Sequence, residues 1–260
     1  MQPTFVSVTY GAGGSAAQKR KTIDIVSSIK SEHGLEAMAH FTCVGATVTQ
    51  LRETLDLMRD AGIQNVLALR GDPPPGHSEW TATDGGLSYS RELIELIRDE
   101  YDFAIGAACF PEVHIHADSA ESDLRYCKEK VDAGARFLIT QLFFNNALYW
   151  DFVARAREGG IDVPIIPGIM PITNFEQIKR FTSMCGATIP GELTRELGLR
   201  ADQPDAVADL GVAYATLQCA DLLAKGAPGI HFYTLNRSTA TRAILSALRC
   251  MTPWRDVVPA

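Results

Sequence analysis

The 260-residue sequence lacks the features that mark several classes of protein. No apolar run resembles a membrane span, and the N-terminus does not resemble a signal peptide. The six cysteines are widely spaced and form no CxxC pair, which argues against structural zinc and against a disulfide framework. These absences make the cytoplasm the expected compartment, with no membrane as a partner.

The sequence also has fewer basic residues than acidic ones. The 24 Lys and Arg residues against 31 Asp and Glu residues give a formal net charge of -7, which argues against nucleic acid as a partner. The apolar content of 46% and the charged content of 21% are typical of a globular protein with a substantial core. We therefore expect a small-molecule ligand, and an anionic one would have to be held by local cations.

Strand-like and helix-like segments alternate along the whole chain. The predicted strands are Phe5–Tyr10, Glu36–Cys43, Asn65–Arg70, Phe103–Phe110, Phe137–Phe144, Pro164–Ile169 and Ile230–Leu235. The predicted helices are Ala16–Ser31, Val48–Ala61, Ser90–Asp99, Ala120–Ala133, Ala147–Glu158, Phe175–Met184, Ala206–Ala224 and a last one that begins near Ser238. Apolar strands in alternation with amphipathic helices predict an α/β fold with a parallel sheet.

The length of the repeat favours a particular α/β architecture. Units of about thirty residues along the whole chain predict a (β/α)8 TIM barrel in one domain, residues 1–260, rather than an open doubly wound sheet. No GxGxxG motif opens a helix after a strand, which weakens a dinucleotide-binding Rossmann fold further.

A closed barrel needs eight strands, and the pattern supplies seven. The first predicted strand begins almost at Met1. We therefore expect the missing first strand to precede residue 1, so that the chain is short at its N-terminus. The alternative is a sheet that is open, with an unpaired edge.

The predicted strand Asn65–Arg70 ends in an unusual group of charged residues, glycine and prolines. The stretch Ala68-Leu69-Arg70-Gly71-Asp72-Pro73-Pro74 takes a buried strand into a cation, a carboxylate and a rigid loop. Burial of Arg70 and Asp72 would be costly without partners, which predicts a ligand site; a strand-terminal salt bridge is the alternative. Polar side chains also follow the other predicted strands: Thr9, His40, Thr42, Glu112, His114, Gln141, Tyr233 and Arg237. In a barrel these would surround one mouth.

Two pairs of residues each allow more than one functional interpretation. His114 and His116 form a His-x-His pair of the kind that binds zinc in barrel hydrolases, although the further ligands that such a site needs are not evident. Asp123 and Lys130 lie two turns apart on one predicted helix, where they would grip a ribose hydroxyl and a phosphate or form a solvated face.

Two loops are further candidates. The glycine-rich segment 11–15 lies before a predicted helix and is suited to cradling a phosphate, although glycine-rich loops are common. The Pro- and Gly-rich segment 72–86, which contains Trp80, is either a mobile lid or a plain surface insertion.

Six motifs, in order along nearly the whole chain, resemble the methylenetetrahydrofolate reductase family in its short bacterial form. They are Phe5-Val-Ser-Val-Thr-Tyr-Gly11, Ala68-Leu-Arg-Gly-Asp72, Phe110-Pro-Glu-Val-His114, Thr140-Gln-Leu-Phe-Phe144, Ile166-Pro-Gly-Ile-Met-Pro171 and His231-Phe-Tyr-Thr-Leu-Asn-Arg237. The resemblance implies a (β/α)8 barrel that holds FAD, in agreement with the pattern of strands and helices.

The resemblance also implies roles for individual residues. Positions that would line the FAD site are Thr9, His40, Arg70, Gly71, Asp72, Ala108, Phe110, His114, Asp123 and Lys130. Positions that would hold folate or the nicotinamide cofactor are Gln141, Gln177, Phe181 and Arg237. Asp72 would act in catalysis beside the flavin, Phe181 would stack on the ligand ring, and Gln141 would hydrogen-bond the pterin.

The implied activity is an FAD-dependent oxidoreductase. NADH or NADPH would reduce FAD and leave, and the reduced cofactor would convert 5,10-methylenetetrahydrofolate into 5-methyltetrahydrofolate in a ping-pong reaction. The resemblance further implies a homo-oligomer. No dinucleotide fingerprint distinguishes NADH from NADPH.

The sequence departs from the family in two places. The family's first strand carries a Phe-Glu-Phe-Phe-Pro-Pro motif whose glutamate is the general acid, and this motif is not found here. Phe110 stands where many members have tyrosine. A chain without the acid should retain flavin binding and NADH oxidation better than folate reduction, because general acid catalysis supplies about two to four orders of magnitude. The alternative function is a catalytically impaired barrel that binds flavin or folate without full turnover.

Overall fold

The computed structural model of the protein describes residues 3–9, 16–72 and 83–255. The chain divides into two compact units, Met1–Ala108 with Glu129–Phe137, and Cys109–Lys128 with Leu138–Ala260. The glycine-rich segment 11–15 and the greater part of the predicted lid, Trp80 included, lie outside the described residues.

The first unit is built on parallel strands. The chain runs β1 (Val6–Val8), α1 (Ala16–His33), β2 (Ala37–Thr42), α2 (Val48–Asp60), β3 (Asn65–Leu69), α3 (Ser90–Glu100) and β4 (Ala104–Cys109). Each of these strands pairs in parallel with the next, in the order β1-β2-β3-β4. Val66, Leu67 and Ala68 are consecutive in β3 and all buried. Because successive strand residues point to opposite faces, both faces of β3 are covered.

Helix α2 shows how the sequence sets an element boundary. The Thr47 side chain accepts a hydrogen bond from the Gln50 backbone N–H (3.3 Å), and the Gln50 side chain accepts one from the Thr47 N–H (3.0 Å). This reciprocal capping box satisfies donors that the helix start leaves unpaired. Leu51, Leu55 and Met58 then follow at helical spacing and are fully buried.

The second unit continues the alternation. It contains β5 (Phe137–Thr140) after α4 (Ala120–Ala133), then α5 (Asn146–Glu158), β6 (Ile165–Ile166), β7 (Gly168–Ile169), α6 (Phe175–Cys185), α7 (Gly191–Gly198), α8 (Pro204–Ala224), β8 (His231–Phe232) and α9 (Thr239–Met251). Strands β5 and β6 pair in parallel, as do β7 and β8. An apolar core under α6, α7 and α8 consists of Leu142, Phe144, Ile172, Ile178, Leu193, Leu197 and Val207.

The predicted fold class is confirmed: parallel strands alternate with helices in an α/β fold of the TIM-barrel type. All seven predicted strands and all eight predicted helices are present among the described residues. The strand predicted over Pro164–Ile169 is divided into β6 and β7 at Pro167. Proline has no N–H to donate to a ladder, although the Pro167 carbonyl still accepts a bond from His231 N–H (2.9 Å).

One predicted strand end needs correction, and one helix was not predicted. The strand predicted over Phe137–Phe144 ends at Thr140. Beyond it Phe143 and Phe144 are buried, but their carbonyls accept hydrogen bonds from Gln218 Nε2 and Tyr214 O–H of α8 and not from a neighbouring strand. Helix α7 was not predicted, because its eight residues are too few to show periodicity.

Helix α8 also bears on the expectation that no segment resembles a membrane span. By length and composition alone it is long and apolar enough to cross a bilayer. The core helix of a globular protein meets the same criterion. The side chains that α8 buries inside the protein include Val207, Ala215, Cys219 and Leu222.

Candidate active site

A groove of about 670 Å³ opens in the second unit where β7 and β8 end. The segment after β7 leads into α6, and the segment after β8 leads into α9. The groove has an apolar part formed by Met170, Ile172, Ile178, Phe181 and Tyr233. It has a polar part formed by Thr173, Asn174, Gln177, Arg237, Ser238 and Thr239. This is the end of the strands at which barrel proteins bind ligands.

Three of the four predicted substrate residues line this groove. Asn174 caps α6 by accepting a hydrogen bond from the Gln177 backbone N–H (2.8 Å), which starts the helix at the groove. Gln177 is exposed and Phe181 is half-buried. They lie four residues apart and therefore share one helix face. Arg237 is exposed and has no ion-pair partner within the part of the chain that the structure describes.

The turn before Arg237 is strained. Leu235 and Asn236 have φ angles of +49° and +60°, in the left-handed region that side-chain-bearing residues rarely adopt. Such conformations cost about 1–3 kcal/mol each and persist where the surroundings fix them. The Arg237 N–H closes the turn on the Thr234 carbonyl (2.8 Å), so the backbone presents Arg237 at the groove. Asn236 alone hinted at this turn, because asparagine tolerates positive φ.

Tyr233 joins the strand ends beneath the groove. Its hydroxyl donates to the Thr140 carbonyl (2.7 Å), and the Thr140 hydroxyl accepts from the Gly168 N–H (2.9 Å). Burial raises the pKa of Tyr233 far above its ordinary range, so it remains a neutral donor. Burial lowers the pKa of His231 to about 4, so its imidazole is neutral at physiological pH.

Gln141, the fourth predicted substrate residue, lies elsewhere in this unit. It lines a small cavity of about 10 Å³ together with Phe110, Glu112 and Cys185. Its backbone N–H donates to the Cys109 carbonyl (2.8 Å), which places it at the end of β5. Its side-chain Oε1 accepts from the Leu142 N–H (2.9 Å), and this bond fixes the orientation of the amide.

The loop after β4 carries two of the predicted cofactor residues, Phe110 and His114, and a third, Asp123, lies on α4. The rings of Phe110 and His114 meet edge to face with centroids 4.6 Å apart. The His114 N–H donates to Asp123 Oδ2 (3.2 Å), so Asp123 holds this loop. Val113, which directly precedes His114 in the sequence, has a φ of +69°, which is strained for a β-branched residue.

The first unit supplies the remaining predicted cofactor residues. Thr9 and Asp72 are exposed, whereas His40 and Arg70 are half-buried. Asp72 is exposed because the chain has already left β3, which ends at Leu69, when it reaches this residue. Gly71 has a φ of +92°, and a Cβ there would collide with the Val44 side chain, so this position requires glycine.

Lys130 brings a cation to the end of β4 within the first unit. Its Nζ donates to the Ala108 carbonyl at 2.5 Å. An ammonium has three donors, so two remain for an anionic ligand. The role predicted for Asp123 and Lys130 in gripping a ribose hydroxyl and a phosphate stays a prediction.

The His-x-His pair makes a contact that needs no metal. The His116 N–H donates to His114 Nδ1 (3.1 Å), and the two ring centroids lie 5.4 Å apart. Within residues 3–9, 16–72 and 83–255, no three His, Cys, Asp or Glu side chains come together in a way that could hold a metal ion.

Parallel βα units whose strand ends open onto a groove with amide, aromatic and guanidinium groups define a TIM-barrel-type ligand-binding protein. The family model for methylenetetrahydrofolate reductase matches residues 1–249. The 5,10-methylenetetrahydrofolate reductase of Escherichia coli K12 is 40% identical over 95% of this chain and 81% of its own length. The chain belongs to the methylenetetrahydrofolate reductase family.

Plant and structural relatives extend the comparison. Methylenetetrahydrofolate reductase (NADH) 1 of Arabidopsis thaliana is 40% identical over 97% of this chain, which spans 46% of the length of that protein. A solved structure of an uncharacterized Clostridium thermocellum protein, which binds two copies of 5-methyl-5,6,7,8-tetrahydrofolic acid, has a TM-score of 0.51 at 16% identity. That likeness covers 96% of this chain and 95% of the other, and it concerns the fold alone.

Proposed function

We propose that this protein reduces 5,10-methylenetetrahydrofolate to 5-methyltetrahydrofolate with NADH or NADPH as the reductant and FAD as the cofactor. The observation that carries the proposal is the groove that combines Gln177, Phe181 and Arg237. An aromatic ring suits a flat heterocycle, an amide suits polar ring or amide edges, and a guanidinium suits a carboxylate. The family membership and the names of the relatives support the same reaction.

The residues present fit FAD by the chemistry of their donors. Arg70 and Lys130 offer cationic donors of the kind that hold a diphosphate, and the lysine still has donors to give. Gly71 packs against the Val44 side chain with a φ of +92°, so the glycine sets the course of the chain between Arg70 and Asp72. Phe110 and His114 of the second unit are proposed as further cofactor residues on the family resemblance alone. FAD bound there would accept a hydride from the nicotinamide and pass it to the methylene carbon, in ping-pong order.

The chain's own residues have separate tasks in this proposal. Asp72, being a carboxylate, would stabilise the cationic iminium form of the folate that ring opening produces. Phe181 would stack on the bound ring and exclude water from the reacting carbon. Gln141 would hydrogen-bond the pterin, and Gln177 with Arg237 would hold the glutamate tail of folate.

The test is product formation by the purified chain supplied with FAD. NADH oxidation that depends on methylenetetrahydrofolate, with 5-methyltetrahydrofolate identified by mass, is the expected result. Oxidation of NADH by oxygen without any methylated product would instead support the alternative, a flavin-binding barrel without full turnover. A protein that binds no flavin under any condition would contradict the proposal outright.

We also propose that the protein acts as a homo-oligomer in the cytoplasm, with small molecules and neither nucleic acid nor membranes as its partners. Light scattering after size exclusion should give a mass above 28.3 kDa for the protein. A monomeric mass at all concentrations would contradict the oligomer.

A further inference from the structure

A carboxylate in the loop after β4 reaches a segment 76 residues further along the chain. The Thr188 backbone N–H donates to Glu112 Oε1 (3.2 Å) and to Oε2 (3.0 Å). The Thr188 hydroxyl donates to Oε2 as well. Hydrogen bonds to an ionised acceptor are about twice as strong as those between neutral groups. Glu112 therefore joins the β4 loop firmly to the segment between α6 and α7.

A second contact joins the same two segments. Gly186 ends α6 in the left-handed conformation, with a φ of +78°. A Cβ at this position would lie 2.5 Å from Ile115 Cγ2, so the glycine lets the β4 loop approach the end of the helix. Cys185 and Ala187 also line the small cavity beside Glu112. The loop and the helix end thus fit each other through side-chain and backbone contacts.

The two joined segments carry different parts of the proposed site. The β4 loop holds Phe110 and His114, which are proposed to contact the cofactor. Helix α6 holds Gln177 and Phe181, which line the groove. Phe181 lies one turn before the end of α6, and Thr188 follows that end by three residues, so the Glu112 contact holds the chain next to the helix turn that carries the Phe181 ring.

We propose that Glu112 is a positioning residue: by holding Thr188, it fixes the groove face of α6 relative to the loop that carries Phe110 and His114. This inference rests on the proposed function, because it assigns the two segments to cofactor and substrate. The strained Val113 beside Glu112 agrees with it, since a strained backbone persists only where neighbouring contacts hold it.

Two variants and one control test the contact itself in the flavin-free protein. Glu112→Ala removes all three hydrogen bonds, whereas Thr188→Val removes only the hydroxyl bond. Thr194→Val is the matched control, because the Thr194 hydroxyl donates to Ile189 within the same region and does not reach Glu112. Hydrogen exchange of residues 110–117 and 182–190 should accelerate about tenfold or more in Glu112→Ala, less in Thr188→Val and not in the control. Unchanged exchange in both segments would overturn the proposal.

The functional readout separates positioning from general stability. In Glu112→Ala the KM for methylenetetrahydrofolate should rise about tenfold while kcat changes less, because the ligand platform is misplaced and the chemistry is retained. The double variant Glu112→Ala/Thr188→Val should be no worse than Glu112→Ala alone, as expected for one shared contact. A lowered melting temperature with an unchanged KM would show that Glu112 is only structural and would reject the proposal.

The exchange measurement also distinguishes this inference from the proposed function. If the wild-type protein does not reduce methylenetetrahydrofolate but the exchange pattern is as expected, the contact holds and the assignment of the two segments fails. If the wild-type protein is active but the variants exchange and bind as wild type does, the positioning role fails and the function stands.

Discussion

At the scale of single residues, Phe181 offers the most direct test of the proposed ligand binding. Replacing it with leucine keeps an apolar side chain but removes the flat ring, so the KM for methylenetetrahydrofolate should rise about tenfold, the equivalent of one lost aromatic stacking contact. The measurement is steady-state kinetics at varied folate concentration.

Phe175 provides the control for this substitution. It lies on the same helix and packs on the same apolar core, but it does not line the groove. Phe175→Leu should therefore leave the KM unchanged even if it lowers the melting temperature. Equal effects of the two substitutions on KM would show that Phe181 acts through stability alone.

His231 makes folding depend on pH. Its pKa is about 4 in the folded protein because burial disfavours the charged ring, against about 6.5 in the unfolded chain. Between these two values only the unfolded chain takes up the proton, so the free energy of unfolding falls as the pH is lowered from about 6.5 to about 4. The full loss is on the order of 3 kcal/mol.

Urea unfolding at about pH 7 and about pH 5 tests this effect. Because carboxylates also titrate in acid, the useful quantity is the difference between wild type and His231→Asn, which has no titrating ring. This difference should move in favour of the variant as the pH falls. Parallel curves for the two proteins would show that His231 does not contribute.

At the scale of elements, helix α8 supports the groove through a glycine. Gly211 is buried, and a Cβ there would collide with the Ile172 carbonyl in the segment that follows β7. Alanine has the better intrinsic helix propensity by about 1 kcal/mol, but overpacking costs about 1–3 kcal/mol. Gly211→Ala should therefore destabilise the protein and raise the KM, because Ile172 lines the groove.

The matched control is Gly198→Ala at the end of α7, where the nearest atom to a new Cβ lies 3.9 Å away. This substitution should leave stability unchanged or improve it. Thermal unfolding and KM of the two variants provide the comparison. A Gly211→Ala protein as stable as wild type would mean that α8 and the segment after β7 separate without cost.

The elements were largely predictable from sequence because their periodicity is strong. Leu51, Leu55 and Met58 repeat at helical spacing, and Val66 to Ala68 form a continuous apolar strand. The end of β5 was not predictable, because a buried apolar run looks the same whether its carbonyls meet a strand or side chains of α8.

The site was predictable only in part. Arg237 is distant in sequence from Gln177 and Phe181, and the family resemblance rather than the periodicity identified all three. The Glu112–Thr188 contact left no signal in the sequence, since it depends on a tertiary partner, and the strained turn at Leu235 left only the hint of Asn236.

At the scale of the whole molecule, the chain covers different fractions of the lengths of its relatives. The chain aligns with 81% of the E. coli protein but with 46% of the Arabidopsis one. The reductase activity proposed here therefore rests on the portion that all of these proteins share. With a net charge of -7, the protein repels anions on average, so cations such as Arg237 must act locally.

The central claim is that one flavin is reduced by NADH and reoxidised by folate, and an anaerobic absorbance trace tests it directly. NADH should bleach the visible flavin band, and methylenetetrahydrofolate should then restore it. In Asp72→Asn, NADH should bleach the flavin band at nearly the wild-type rate. The band should recover at least about tenfold more slowly, because the carboxylate is proposed to stabilise the cationic folate intermediate. A band that NADH does not bleach, or a bleached band that methylenetetrahydrofolate never restores, would contradict the account.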